Sequence, residues 1–187
     1  MYYLIILLFF IPFSAFADTS ENCLLLSDLD NNKKLNEIKY SSLNFSNCDL
    51  IGIKLNDLDL KNANFIGSNL SGSYFYGSNL ENADFTNSIL YGTNFQSTNL
   101  ENANFNNSIL DGSTFRDANL ENANFTDSSL KNVELYKANL INTDFTSADA
   151  TNANFCGAYL AFMKFDNTIF KNTDLHNAKL MFTDLST

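Results

Sequence analysis

The sequence predicts an all-β solenoid, in which the chain winds into stacked coils of four sides each. Leu or Phe stands at every fifth position from Phe45 to Leu185, and Ala150 is the single exception. A second period of 20 residues aligns four consecutive blocks between Lys61 and Leu140. The composition is biased in the same direction, because the 187 residues include 18 Phe but no Trp and one Pro. Such a uniform composition is typical of repeat architectures.

The five-residue period excludes the common regular structures. An α-helix repeats about every 3.6 residues, a strand about every 2 and a coiled coil about every 3.5. A short extended segment followed by a turn does fit a length of five. Each unit then forms one side of a coil, with two side chains pointing inward and three pointing outward. Since 20 residues contain four units, one turn of the solenoid has four sides.

Equivalent positions in successive coils should stack into ladders along the solenoid axis. One side carries Phe45, Phe65, Phe85, Phe105, Phe125, Phe145 and Phe165. The opposite side carries Leu55, Phe75, Phe95, Phe115, Leu135, Phe155 and Leu175. The other two sides are mainly Leu, and burial of each ladder side chain contributes roughly 1.5–3 kcal/mol. Ala150 interrupts one Leu ladder, and we expect the ring of Phe170, one coil further, to lean into the space left there.

The corners carry residues that tolerate a positive φ. One corner is occupied in successive coils by Gly52, Gly72, Gly92, Gly112, Asn132, Asn152 and Asn172. Gly and Asn enter the left-handed region at lower cost than other residues, so they favour tight turns. About seven coils with a rise of about 4.8 Å predict a rod on the order of 35 Å long.

These units resemble those of the pentapeptide-repeat family, whose pattern is roughly A-(D/N)-L-x-x. Matching units are Ala63-Asn64-Phe65, Ala103-Asn104-Phe105, Ala118-Asn119-Leu120 and Ala138-Asn139-Leu140. The resemblance covers residues 41–187 and implies a right-handed quadrilateral parallel β-helix. Residues 18–40 lack the period, and we expect them to form a short N-terminal cap, because an open solenoid end exposes unpaired strand edges. We expect no comparable cap at the C-terminal end.

Residues 1–17 have the features of a secretory signal peptide. They contain no charged residue, and the run from Leu4 to Ile11 is entirely apolar. The A-x-A sequence from Ala15 to Ala17 is typical of a cleavage site, although the first residues lack the usual Lys or Arg. The apolar run is shorter than the roughly 20 residues that cross a membrane. We therefore expect cleavage near Ala17 and export to the periplasm or the exterior, without a stable membrane anchor.

Three cysteines fit an oxidising compartment. Cys48 is at an inward position and Cys23 lies in the cap segment, so a disulfide between them could fasten the cap to the first coil. The alternative is a buried free Cys48 that packs as a small hydrophobic residue. Cys156 points outward and is too many coils away from Cys48 to form a bridge with it.

No group of residues suited to catalysis, cofactor binding or metal binding is evident. His176 is the only histidine, and a catalytic triad or a zinc site needs further partners. The segment from Asp28 to Asn32 resembles the start of an EF-hand loop, but Lys33 and Lys39 replace the required Gly and Glu. We therefore predict a protein that is not an enzyme and has no cofactor.

The chain is strongly acidic, with a net charge of −10 and a pI near 4.3, which argues against binding of nucleic acid. Glu81, Glu101 and Glu121 should stack in one column, which we call the acidic ladder. This column could offer a surface to a basic partner. Alternatively, it is a solvated face of a duplicated coil, flanked by a ladder of hydrogen-bonded Asn residues.

The C-terminal coils break this polar pattern. Apolar residues replace the Glu column and the neighbouring Asn column, and these candidate interface residues are Ile141, Ala161, Phe162, Met181 and Phe182. If they point outward next to each other, they form an apolar patch, and such patches usually mark an interface. We expect a homodimer or another protein partner at this end, with a frayed coil folding over its own core as the alternative.

The most economical hypothesis is an exported, non-enzymatic scaffold or protein-binding module. The family resemblance also implies an alternative, since some pentapeptide-repeat proteins are similar to B-form DNA in shape and charge and bind type II topoisomerases such as gyrase. The signal peptide argues against this alternative, because gyrase is cytosolic. The third hypothesis, a polysaccharide-cleaving β-helix, lacks a groove lined by acidic residues.

Overall fold

The computed structural model describes Cys23 and residues 43–181, which form a four-sided parallel β-helix from residue 43 onward. We number the sides by their inward central residues: face 1 begins with Phe45, face 2 with Leu50, face 3 with Leu55 and face 4 with Leu60. Each face contributes one bridging residue to every coil, and residues 43–181 contain no longer strand. The expected cap at residues 18–40 and the leader at residues 1–17 lie outside the described residues, apart from Cys23.

Backbone hydrogen bonds hold neighbouring coils in a fixed register. All 24 bridges are parallel, and each pairs residues 20 positions apart, as in Asn64–Asp84. At this bridge the N–H of Phe65 donates to the carbonyl of Asp84 at 2.7 Å, and the N–H of Asp84 donates to the carbonyl of Ala63 at 2.9 Å. The 20-residue sequence period is therefore the length of one coil, which confirms the four-sided prediction.

A residue with positive φ closes every described side. Twenty non-glycine residues and seven glycines hold this conformation, at intervals of five from Asn47 to Asn177. Most of the non-glycine residues are Asn or Asp, whose short polar side chains tolerate the left-handed region. Lys137 and Phe162 depart from this preference, with φ values of 57° and 58°. Both residues therefore adopt a backbone conformation that is unfavourable for a long or bulky side chain.

Two Phe ladders fill the interior. Along face 1 the rings are stacked in parallel, with Phe105 lying 4.8 Å from Phe85 and 4.9 Å from Phe125. The rings of face 3 meet those of face 1 edge-on, and Phe105 lies 5.9 Å from Phe95 and 5.7 Å from Phe115. Stacked and edge-on contacts are both favourable for aromatic quadrupoles. Every inward ring from Phe65 to Phe155 is fully buried, as the sequence predicts.

The aromatic packing changes where Ala150 interrupts face 2. The ring of Phe145 is tilted by 32° against Phe125, instead of lying parallel to it. The ring of Phe170, one coil beyond Ala150, contacts Phe155 edge-on at 6.1 Å and Phe165 at 6.0 Å. Phe170 thus reaches a residue of the preceding coil, and it remains 37% exposed.

Small inward residues fill the space beside the ladders. Ala or Ser occupies most of these positions, and the serines satisfy their hydroxyls within the interior. The Ser68 hydroxyl donates to the carbonyl of Phe65 at 2.6 Å, and the Ser73 hydroxyl donates to the carbonyl of Leu50 at 2.8 Å. Buried hydroxyls with partners avoid the cost of an unmade hydrogen bond.

Within the described residues, no helix is long and apolar enough to cross a membrane.

Replacement of Phe105 by Ala should destabilise the solenoid strongly. The substitution removes two stacked and two edge-on ring contacts and leaves a cavity, so the free energy of unfolding should fall by about 3–5 kcal/mol. Phe105→Leu should cost less, because Leu already serves in the other ladders. Urea denaturation followed by circular dichroism measures both variants. A control, Ile89→Ala, changes a partly exposed face position and should change stability little. Equal losses for Phe105→Ala and Ile89→Ala would contradict the stacked core.

Candidate functional site

The N-terminal coil is linked to Cys23 by a disulfide. Cys23 and Cys48 are joined, with their Cα atoms 5.5 Å apart. Cys48 is buried among the ladder residues, at the inward position that its spacing predicts. The structure thus brings together the two cysteines whose pairing the sequence left open. Cys156 carries a free, partly exposed thiol.

The acidic ladder lies along the corner between face 4 and face 1. Glu81, Glu101 and Glu121 occupy the same corner position in successive coils, and all three are partly exposed. Lys61 precedes them in this column, and its ammonium group lies 2.8 Å from a carboxylate oxygen of Glu81. The hydrogen bond to Glu81 raises the pKa of Lys61, with smaller contributions from nearby acidic charges. Glu101 and Glu121 form no ion pair among the described residues.

Amide ladders run beside the acidic ladder. On face 4, a ladder of amides runs from Asn79 through Asn99 and Asn119 to Asn139, in which each of the last three side chains donates to the Asn of the preceding coil at 3.0–3.1 Å. The Asn79 side chain donates to Asp59 at 3.0 Å. The same side-chain oxygens also accept a backbone N–H two residues further on. At the turn, the Asn82 amide donates to Asn62 at 3.1 Å. These residues therefore have a structural role in the corner, and the Glu residues are mounted on that framework.

The structure modifies the predicted apolar interface. Phe162 and Met181 are 53% and 58% exposed, whereas Ile141 is half-buried and Phe182 lies outside the described residues. The prediction that Ala161 points into solvent is wrong, because its exposed fraction is only 5%. A methyl group extends less far from the corner than the Glu side chains of the same column, so the neighbouring coils cover it.

Residues that sequence reasoning placed in the core are exposed in the last described coil. Leu175 is 41% exposed and Leu180 is 43% exposed, although both occupy ladder positions. Ladder residues are covered only when a coil lies on each side, and within residues 43–181 the coil from 161 to 180 has a neighbour on one side. The repeat pattern itself does not distinguish them from buried ladder residues, because Leu175 occupies the same position in its coil as Leu55.

The same coil presents backbone donors. In earlier coils the N–H of each ladder residue donates to the following coil, as in Phe145 to Lys164 at 2.7 Å. The N–H groups of Phe165, Phe170 and Leu175 have no acceptor among the described residues. Apolar ladder side chains and free backbone donors thus lie together at one end of the described solenoid.

Ion pairs join neighbouring coils in the C-terminal half. Lys131 lies 3.3 Å from Asp149, and Lys164 lies 3.5 Å from Asp144. Burial raises the pKa of Asp144, but hydrogen bonds from the Thr146 hydroxyl and N–H, together with Lys164, outweigh this effect and lower the pKa. Asp149 has a lowered pKa for the same kind of reason, with Lys131 as its cation. At pH values above the ordinary carboxylate pKa, both ionised groups therefore stabilise the fold. This stabilisation is lost as the pH falls through their lowered pKa values.

The described residues contain no cluster of metal-binding side chains. Among them, no three His, Cys, Asp or Glu side chains are close enough together to hold a metal ion. His176 is exposed, and its backbone N–H is bonded to the side chain of Asp174 at 2.9 Å.

A regular four-sided rod built from 20-residue coils defines a repeat protein of the solenoid class. The family described as "Pentapeptide repeat region" matches residues 38–115, and "Pentapeptide repeats (8 copies)" matches residues 108–146 and 153–187. The chain belongs to the pentapeptide-repeat family, whose members form right-handed quadrilateral β-helices. No curated protein sequence matches significantly.

Several solved structures are similar to the chain. HetL, a pentapeptide repeat protein involved in heterocyst differentiation regulation in the cyanobacterium Nostoc, is 24% identical, with coverage of 72% of this chain and 62% of HetL and a TM-score of 0.38. A pentapeptide repeat protein of the Arabidopsis thaliana thylakoid lumen is 27% identical, with coverage of 59% and 63% and a TM-score of 0.42. QnrB1, a plasmid-mediated fluoroquinolone resistance protein, is 18% identical, with coverage of 75% and 91% and a TM-score of 0.24. The chain thus spans less than two thirds of the first two proteins.

Loss of the disulfide should lower the stability of the N-terminal coil. The bond closes a loop with a sequence separation of 25, and a loop of this size is worth about 3 kcal/mol through the entropy of the unfolded chain. We expect Cys48→Ser, or treatment with a reductant, to lower the melting temperature. Cys156→Ser is the matched control and should leave it unchanged. A melting temperature that is insensitive to reductant would contradict a stabilising role of the bond.

Proposed function

We propose that this chain is an exported, non-enzymatic scaffold that binds protein through its C-terminal coil. The observation that carries the proposal is the exposed end, where the ladder residues Phe170, Leu175 and Leu180 are uncovered. Earlier coils bury the equivalent ladder positions almost completely. Exposed apolar surface of this kind marks interaction sites. An open edge with free backbone donors can also extend a sheet by pairing with another chain.

A second copy of the chain is the partner that fits this end best. Two such ends related by a twofold axis would present the same apolar ladder side chains to each other, as an isologous interface requires. The turn residue Phe162 adds to this argument, because a bulky residue with positive φ is costly and is usually retained for a reason beyond the backbone. In the preceding described coils, from Asn62 to Asn142, the equivalent turn residue is Asn.

Export is the second part of the proposal. It is supported by the apolar leader with its A-x-A sequence and by the disulfide at Cys48, because such bonds persist in oxidising compartments. The hydrogen-bonded Asn ladders, which give the outward amides a structural role, support a scaffold. The alternative, a cytosolic DNA mimic that binds a type II topoisomerase, has the acidic ladder and the net charge of −10 in its favour.

Polar substitution of the exposed end should abolish self-association. We expect the wild-type protein to have the mass of a dimer in light scattering at micromolar concentration, and the double variant Leu175→Asn/Leu180→Asn to have the mass of a monomer. The matched controls are the single variants Ile51→Asn and Ile89→Asn, which change exposed apolar residues at the corner after face 2 and on face 2. Both control variants should remain dimeric.

Phe162→Asn separates association from folding. Asn suits the positive φ of this turn, so the backbone gain offsets part of the lost side-chain contacts and the melting temperature should change little. The variant dimer should nevertheless be weaker, so that it dissociates at a protein concentration at which the wild-type dimer still persists. A wild-type protein that is monomeric at all concentrations would exclude self-association through this end.

Cell fractionation with N-terminal sequencing tests export. We expect a mature chain that begins at Asp18 and is found outside the cytoplasm. Replacement of Ala15 and Ala17 by bulky residues should block cleavage, because signal peptidase requires small residues at these positions. An intact chain beginning at Met1 in the cytosol would contradict the proposal, and inhibition of gyrase supercoiling would then support the topoisomerase alternative.

A further inference from the structure

Three cations and two tyrosines form a surface cluster at the corner between face 3 and face 4. Its members, which we call the tyrosine–cation cluster, are Arg116, Tyr136, Lys137, Tyr159 and Lys179. The guanidinium carbon of Arg116 and the ammonium of Lys137 each lie 5.0 Å from the ring centre of Tyr136. The ammonium of Lys179 lies 4.2 Å from the ring centre of Tyr159 and donates a hydrogen bond to its hydroxyl at 3.0 Å. Aromatic rings attract cations in this geometry.

The cations of this cluster form no ion pair with an acidic residue in the part of the chain that the structure describes. Within residues 43–181, the three ion pairs use Lys61, Lys131 and Lys164, and none uses Arg116, Lys137 or Lys179. All three side chains are exposed. On a chain with a net charge of −10, three cations without carboxylate partners are a local departure from the average surface. They are therefore available to an anionic ligand.

The backbone holds Lys137 in place at a conformational cost. Among the described residues it is the only lysine with a positive φ, a conformation held otherwise mostly by Gly, Asn and Asp. Gly157 takes the equivalent turn position in the next coil, and a side chain there would meet the Lys137 stem, since a Cβ would lie 3.4 Å from Cγ. A lysine held in this unfavourable backbone conformation points to a role outside the backbone.

Positive potential converges on the hydroxyl of Tyr159. The hydrogen bond from Lys179 and its charge lower the pKa of Tyr159, with a further contribution from Lys137. Because the rings already hold the cations, little side-chain freedom would be lost when an anion binds, and this preorganisation favours affinity.

We propose that the tyrosine–cation cluster binds an acidic polysaccharide, whose carboxylates pair with Arg116, Lys137 and Lys179. The cluster extends over four successive coils, a length of roughly 14 Å at a rise of about 4.8 Å per coil. The cluster offers at most one cation per coil, and this spacing suits a polymer that carries one carboxylate per sugar ring. Tyrosine hydroxyls provide partners for sugar hydroxyls. This surface lies outside the proposed protein interface, and it would attach the scaffold to an acidic polymer.

The spacing of the cations disfavours nucleic acid as the ligand. Duplex DNA carries one charge about every 1.7 Å along its axis, and its binding needs dense neutralisation by Lys and Arg. The remaining surface of this chain is acidic and would repel so dense a polyanion. A sparsely charged polymer can contact the cluster and extend away from the acidic ladder at the opposite corner of face 4.

Isothermal titration calorimetry with polygalacturonate tests the proposal on the full mature chain at low salt. We expect binding that weakens as the salt concentration rises, and no binding of neutral dextran. The triple variant Arg116→Gln/Lys137→Gln/Lys179→Gln should weaken binding at least about tenfold, because three charge-assisted contacts are lost. The control variant Lys54→Gln/Lys131→Gln/Lys171→Gln removes the same charge elsewhere and should change affinity by less than about threefold.

A second variant separates a built site from simple charge attraction. Tyr136→Leu/Tyr159→Leu keeps all three cations but removes the rings that hold them, so binding should weaken although the net charge is unchanged. Equal weakening in the triple variant and its control would overturn the proposal, as would the absence of polygalacturonate binding by wild type. A third outcome tests the choice of ligand. If single-stranded DNA of the same total charge binds with higher affinity than polygalacturonate, a polysaccharide is the wrong ligand. Far-UV circular dichroism and light scattering of each variant verify that folding and oligomeric state are unchanged.

Discussion

The coil-to-coil hydrogen bond is the constraint on which the rest of this structure depends. From Phe45 to Leu160, each ladder residue donates its N–H to the following coil, and from Asn64 onward the bridging residue beside it donates to the preceding coil, so the described coils share one register of 20 residues. With this register fixed, identical side chains must lie above one another. The Phe stacks of face 1, the Asn ladder of face 4 and the column of Glu residues all follow from it. One backbone rule thus organises the interior and the surface together.

The same rule limits where functional diversity can occur. Inward positions are restricted by volume, and turn positions are restricted by a positive φ, so most of them hold Ala, Ser, Gly or Asn. Variation is left to the outward positions and to the ends, where a coil has a neighbour on one side. Lys137 and Phe162 are instructive because they violate the turn preference at positions next to the two surfaces for which we propose ligands. Conformational cost at these turns is consistent with selection for contacts outside the solenoid.

Stability and binding are coupled differently at the two ends of the rod. The disulfide of Cys48 ties the first coil to Cys23, and thus restrains the unfolded chain at that end. The last described coil instead leaves Leu175 and Leu180 partly uncovered and several backbone donors without acceptors among the described residues. In a solenoid each coil is stabilised mainly by its nearest neighbours, so a partner that covers this end would act as an additional coil. Binding at this end should therefore also stabilise the fold.

The sequence by itself determined the coil length, the four sides and the inward ladders. A 20-residue period divided into five-residue units gives a coil of four sides, and ladder residues such as Phe65 and Leu80 must then be buried. It also determined the turn positions, since Gly and Asn mark positive φ. Only the tertiary structure decided which ladder residues are covered: Leu175 repeats the pattern of Leu55, yet it is exposed because burial depends on a neighbouring coil. The structure likewise decided that Ala161 is hidden, that Arg116 lies over the ring of Tyr136 and that Lys179 lies over the ring of Tyr159. Each of these cation–ring pairs joins two coils, and the side-chain directions that form it are not encoded in the repeat.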